Sequence, residues 1–254
     1  MVKQTKKLST KTTVAQINAT DKFPITDVNG VVSLVTLATI KAALLDGASF
    51  NAMYDGVFIM YHRKSDNYPL MVKPHKWTSI QSSGEIADGV VIVEGGKCLV
   101  VAPTESASKL TWSSAAVSGG GTTTTDRVTA INDWAGRANT TSQIGHAECS
   151  SSSYAPGFCN AYSRSNANGQ GLTAGKWWLP SLGEMMMIYA NMNKINYALS
   201  LINGATQLVE DAYWTSTEYG ATNAWTLRLS LGYAYYGTKA SGTLRVRAVS
   251  AFIA

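Results

Sequence analysis

The sequence predicts an α+β fold, from three observations. Strand-like apolar runs come early, at residues 56–61, 89–94 and 97–103. Helical patterns follow at 126–138 and from Ser181 to Ile202, and a period-two alternation returns at 225–230. At 254 residues, 45% hydrophobic and only 15% charged, the chain is a folded protein of one large domain with a small appendage.

Residues 1–11 read as a basic tail, with Lys3, Lys6, Lys7 and Lys11 and no acid. Residues 14–27, an Asn29-Gly30 turn and a returning strand over 31–37 form a hairpin. A short helix over 36–45 then ends at Asp46-Gly47. Such a unit is too small to bury much core alone, so residues 1–47 read as a module that packs against a partner or a symmetry mate. Residues 48–254 read as one domain. Within it, residues 118–125 (Ser-Gly-Gly-Gly-Thr-Thr-Thr-Thr) form a loop ending in a threonine cap. A helix from 126 to 138 places Val128, Ile131 and Trp134 on one face. Residues 150–171 are a long irregular loop, either functional or uncharged padding. Ser181 and Glu184 form a capping box that starts a helix through Met185, Met186 and Met187, read as core filler. A second helix over 194–202 stops at Asn203-Gly204.

The net charge of +5 is concentrated in the tail: the other 243 residues hold 17 basic against 16 acidic side chains. A basic stripe for nucleic acid is therefore not expected. No run reaches the ~20 apolar residues of a membrane helix, and polar residues follow the first lysines where a signal peptide needs an apolar core. Synthesis in a cytoplasm without export by that route is the expectation. Cys98, Cys149 and Cys159 are too few for a disulfide framework, and free thiols are favoured over a Cys149–Cys159 pair. His62, His75 and His146 stand apart and read as structural, so no metal is expected. Gly119, Gly120 and Gly121 could favour an anion before the helix, but lack a phosphate-loop pattern. Asp133 and Glu148 could pair only through the fold, Glu184 is explained by capping, and Glu218 reads as a buried scaffold carboxylate. No catalytic constellation or cofactor is expected.

Three motifs carry a family resemblance: Lys176-Trp177-Trp178-Leu179-Pro180-Ser181-Leu182-Gly183-Glu184, Tyr213-Trp214-Thr215-Ser216-Thr217-Glu218-Tyr219 and Arg245-Val246-Arg247-Ala248-Val249. In this order they resemble the C-type-lectin-fold variable proteins diversified by retroelements, which include phage tropism determinants. The resemblance covers 126–254 well and 48–125 loosely, with Thr215 where serine is commoner. It implies a C-type-lectin-like domain after the N-terminal hairpin–helix module. The Glu-Pro-Asn and Trp-Asn-Asp motifs of calcium-dependent sugar binding are missing, so that activity is not implied. The first module resembles units that begin phage tail and fibre proteins.

The resemblance implies a hypervariable ligand-binding surface on outward positions near the C-terminus. These are Gly220, Ala221, Thr222, Asn223, Thr226, Arg228, Ser230, Leu231, Tyr233, Ala234, Tyr235, Tyr236, Thr238, Ser241, Gly242, Thr243 and Leu244. Adenine mutagenesis of Asn codons never yields Trp, Met, Lys, Glu or Gln, and none of these positions holds one. The alternation of Trp225, Leu227 and Leu229 with Thr226, Arg228 and Ser230 fits a strand buried on one face. Trp214, Glu218, Arg245 and Arg247 would form the scaffold. The expected protein is thus a phage receptor-binding or tail protein on the virion. Its expected partners are a host-surface protein or glycan and other virion proteins, with a trimer as first guess. The alternative is a bacterial surface or secreted binder of the same fold. An oxidase of the formylglycine-generating type is disfavoured, because Cys149 and Cys159 lie outside any matching motif.

Overall fold

A computed structural model of the protein describes residues 22–26, 32–36 and 55–252. Contacts divide the chain into two units, Met1–Ser49 and Phe50–Ala254. In the first, β1 (Lys22–Thr26) and β2 (Val32–Thr36) pair antiparallel, with Lys22 opposite Thr36 and Thr26 opposite Val32. The pairing agrees with the expected hairpin. Thr36, the expected start of a helix over 36–45, is instead the last residue of β2, and the Asn29-Gly30 turn, the rest of that helix and the tail lie outside the described residues.

The second unit mixes helices with antiparallel sheets. Strands β3 (Gly56–His62), β4 (Pro69–Val72), β5 (Ala87–Glu94) and β6 (Lys97–Val101) pair with a late strand, β12 (Val249–Ser250), in the order β12-β6-β5-β3-β4. Helix α1 (Trp77–Ser82) links β4 to β5. Gly95 and Gly96 join β5 to β6 with φ of 56° and 76°, which a two-residue hairpin turn of the favoured twist requires. Residues 87–93 are all buried, and alternate ones enter different cores. Val90 and Ile92 face one, Val91 and Val93 the other. A continuous apolar run is what a strand covered on both faces needs.

Helices α6 (Leu182–Ala190) and α7 (Met192–Ser200) cover the first face, inserting Leu182, Met185, Ile188, Ile195 and Leu199. Fully burying each such side chain stabilises the fold by about 1.5–3 kcal/mol. Ser181 and Glu184 form the expected capping box, and Met185 and Met187 are buried filler. The second core gathers Trp112, Trp177, Trp214, Cys149 and Cys159, with both these thiols and Cys98 free.

Two expectations need correction. Residues 126–138 are not one helix but two, α2 (Arg127–Ile131) and α3 (Gly136–Gln143). The Asp133 carboxylate accepts from the Ala135 amide at 2.9 Å, a local bond that competes with helix continuation. Val128 and Trp134 are consequently 65% and 38% exposed, and the N-cap is Asp126, which accepts from Thr129 N at 2.7 Å, not a threonine. Residues 150–171 are not an irregular loop either. They hold the end of α4 (Ala147–Ser150), α5 (Ala155–Ala161), and a hairpin of β7 (Arg164–Ser165) and the start of β8 (Gly171–Leu172). Pro156 starts α5, and Gly157 lets the Ser151 carbonyl approach so closely that a Cβ would sit 2.2 Å from it. The small residues serve packing there, not padding.

Candidate functional site: a tyrosine-lined surface on a buried charged scaffold

The third sheet comprises β9 (Ala212–Glu218), β10 (Asn223–Arg228) and the outer strand β11 (Tyr233–Thr238), in the order β11-β10-β9. Ala224 pairs with Glu218, but Thr226 pairs with Trp214, so β9 carries extra residues in a bulge. Thr215, Ser216 and Thr217 in that bulge are fully buried, and each is bonded. Thr215 Oγ1 donates to Trp225 O, Ser216 N to Pro180 O, and Thr217 Oγ1 to Asp133. Asp133 also accepts from Asn139 and Thr122; these, not Glu148, are its side-chain partners. The bulge re-aims polar side chains that a regular strand would leave stranded in the core.

Beyond the bulge, Glu218 is fully buried. Its Oε2 accepts from Gly119 N at 2.9 Å and Lys239 Nζ at 2.5 Å, and its Oε1 from Gly121 N at 3.2 Å. The anion beside the glycine run is therefore the protein's own carboxylate. Gly119 is required by this close approach: a Cβ would lie 2.7 Å from Gln143 Cγ and 3.0 Å from Glu218 Oε1. Lys239, also fully buried, donates to Val117 O at 2.7 Å and lies 4.2 Å from the Trp112 ring centroid. Burial lowers its pKa, and Glu218 opposes that shift.

A second charged group lies at the other end of β9. Arg247 is fully buried and donates to Ala102 O and Thr206 O, both at 3.0 Å. Glu105 joins Arg247, Arg245 and the Tyr213 hydroxyl. A hydrogen bond from Lys109, followed by the Ala212 amide and Arg245, holds the Asp211 carboxyl down to about 2, against desolvation. Glu184, beneath Trp178 Nε1 and Ser181 N, is pushed up to about 7 by burial. His62 is buried against Asp88 at 2.7 Å, a structural pairing.

Ten of the expected surface positions are exposed: Ala221, Thr222, Arg228, Ser230, Leu231, Tyr233, Tyr235, Thr238, Ser241 and Thr243. Gly220, Asn223, Tyr236, Gly242 and Leu244 are half-buried. Thr226 and Ala234 are buried and correct the expectation of exposure. Ala234 pairs with Leu227 on the inward face and joins the core. Thr226 does face outward, opposite Tyr235, and is covered by the large side chains around it. Tyr236 pairs with Trp225 on the inward side of the sheet, so the three tyrosines of β11 do not share one face.

They form a row nonetheless, because β11 is an outer strand around which a side chain can curl. The Tyr233 and Tyr235 rings lie 6.0 Å apart at 20°, Tyr235 and Tyr236 4.6 Å apart at 15°, and Tyr236 and Tyr219 4.1 Å apart at 27°. Tyr219 meets Trp225 edge-on at 5.3 Å, and the Arg127 guanidinium lies 5.2 Å from the Tyr233 centroid. The Tyr236 neighbour raises the pKa of Tyr235. Thr226, Arg228, Tyr233, Tyr235 and Tyr236, with Ala212, Gly237 and Leu244, line a shallow cleft of about 300 Å³.

Sequence reasoning missed Tyr219, Arg127, Ala212, Gly237, Glu105 and Lys239. Lys239 alone carried a signal, as the single basic residue between Arg228 and Arg245. Among the described residues no cluster of His, Cys, Asp and Glu could hold a metal, and no helix is long and apolar enough to cross a membrane. Comparison with known proteins gives no matching family model and no matching curated protein.

Proposed function

We propose that the chain is a ligand-binding protein of the retroelement-diversified C-type-lectin-fold class, a phage receptor-binding or tail protein that recognises a host-surface molecule. The observation that supports this best is the row of stacked tyrosines at an outer strand, exposed at Tyr233 and Tyr235 by 44% and 50%. Tyrosine offers rigid contact area at low entropic cost, and the polar loops at 220–223 and 238–243 flank it. The buried Glu218–Lys239 pair holds the backbone beneath, so the surface side chains can change without disturbing it. The mechanism is display, and several copies in an oligomer would bind with avidity.

The test replaces Tyr233 and Tyr235 with Ser, leaving the inward Tyr236 in place. Melting of the double variant stays within about 1 kcal/mol of wild type, as for exposed positions. Attachment of the labelled full chain to cells of a bacterial panel falls sharply, because exposed aromatics dominate such patches. Equal attachment of the variant and wild type refutes the assignment of this surface. The coding region supplies an independent check: a near-copy of the codons for 213–252, differing at adenines and beside a reverse transcriptase, is expected.

A further inference from the structure

Resting on that reading, we infer that the ligand at this surface is an acidic protein segment, presenting carboxylates beside apolar side chains, and not a glycan. The tyrosine rings stack on one another within the row. Tyr235 has parallel neighbours at 6.0 Å and 4.6 Å, Tyr236 at 4.6 Å and 4.1 Å, and Arg127 lies over Tyr233. A sugar stacks on a free aromatic face, and in this row ring or guanidinium neighbours compete for those faces. The ring edges and hydroxyls of the two exposed tyrosines are the groups such stacking leaves for a ligand. Ring edges carry the positive part of the aromatic quadrupole, and phenols donate hydrogen bonds, so both favour an anion.

Charge points the same way. Arg228 is the only charged residue lining the cleft; it is exposed, stands opposite Tyr233, and makes no ion pair among the described residues. Of the acids near the site in sequence, Asp211 is paired with Lys109 and Arg245 and Asp126 accepts from Thr129, while the exposed Glu210, like these, does not line the cleft. Two guanidiniums thus flank Tyr233 without a carboxylate lining the cleft, which is the complement of an acidic partner. Leu231, 71% exposed in the turn before Tyr233, and Val128, 65% exposed beside Arg127 in sequence, are apolar side chains near these two residues in the chain.

The experiment pans a random-peptide phage library on immobilised full-length protein, with polygalacturonate, an acidic polysaccharide, as a separate soluble probe. Enriched peptides are expected to combine Asp or Glu with an apolar neighbour and to release as salt rises. Their affinity should fall by roughly ten-fold or more in Arg228→Glu, the loss expected for a charge-assisted bond turned repulsive. Peptides enriched without acidic residues, or bound equally by Arg228→Glu, overturn the inference while leaving the binding surface in place if Tyr235→Ser still weakens them. Polygalacturonate binding without peptide enrichment overturns it in favour of an acidic glycan. Binding of neither probe, or binding indifferent to both Tyr235 and Arg228, overturns the inference and counts against the surface itself.

Discussion

Replacing Glu218 with Ala isolates what holds the surface in place. The carboxylate accepts from Gly119 N and Lys239 Nζ in the interior and from the partly buried Gly121 N. Its removal leaves two amides and one ammonium short of an acceptor. A buried pair broken from one side costs about 3–5 kcal/mol, and orphaned donors at about 1–3 kcal/mol each push toward the upper end. Lys239 keeps Val117 O and the Trp112 ring, and can shed its proton, which limits the loss. A unit of this size loses about 2–4 °C of melting temperature per kcal/mol, so calorimetry should register a drop of roughly 10 °C. Adding Lys239→Met should restore part of it, because the uncompensated charge is then gone and only the glycine amides stay unpaired. Unchanged melting in Glu218→Ala, or a double variant worse than additive, would refute the account of Glu218 as the anchor.

Arg247→Ala should also destabilise by several kcal/mol, since it strips donors from the Ala102 and Thr206 carbonyls and a partner from Glu105; wild-type melting would place Arg247 outside the scaffold. Glu184 titrates near 7 in the fold against an ordinary 4.5, so the folded state binds the extra proton. Its stabilising contribution is complete below about pH 4.5 and fades as pH rises through 7, and Glu184→Gln should flatten that decline in urea midpoints. Apolar Phe23, Ile25, Val31, Leu34, Leu37 and Ile40 in so short an N-terminal segment imply packing between subunits, with a trimer expected by light scattering at micromolar concentration; a monomer would refute it.

How much of this was legible in the sequence depended on whether the signal was local. The capping box at Ser181 and Glu184, the strands at 56–62 and 87–101, and the buried carboxylate of Glu218 rest on neighbours in the chain or on apolar runs, and all were readable. The break at Asp133 was not, because apolar spacing over 126–138 continues past a side chain that ends the helix by bonding Ala135. Nor were the partners of Glu218: Gly119 and Lys239 lie 99 and 21 residues away. Period-two reading found the outward face of β10 but could not register that Thr226 would be roofed by its neighbours, or that Ala234 falls on the inward side.

The bulge in β9 connects these facts. A strand of regular register would place the hydroxyls of 215–217 against apolar core, where unbonded groups are costly. With the extra residues, each hydroxyl or amide meets a partner from another element: Pro180 ahead of α6, Asp133 between α2 and α3, and Trp225 of β10. The same irregularity sets Glu218 against the glycine amides, and Glu218 in turn fixes Lys239, whose own amide donates to Thr222 O at the base of the adjoining loop. Both polar loops beside the tyrosine row are therefore tied to one buried carboxylate through backbone and lysine. None of those ties uses a side chain from the seventeen candidate surface positions. The side chains of the ten exposed positions can therefore differ without breaking those ties, whereas the buried Thr226 and Ala234 are constrained by their packing.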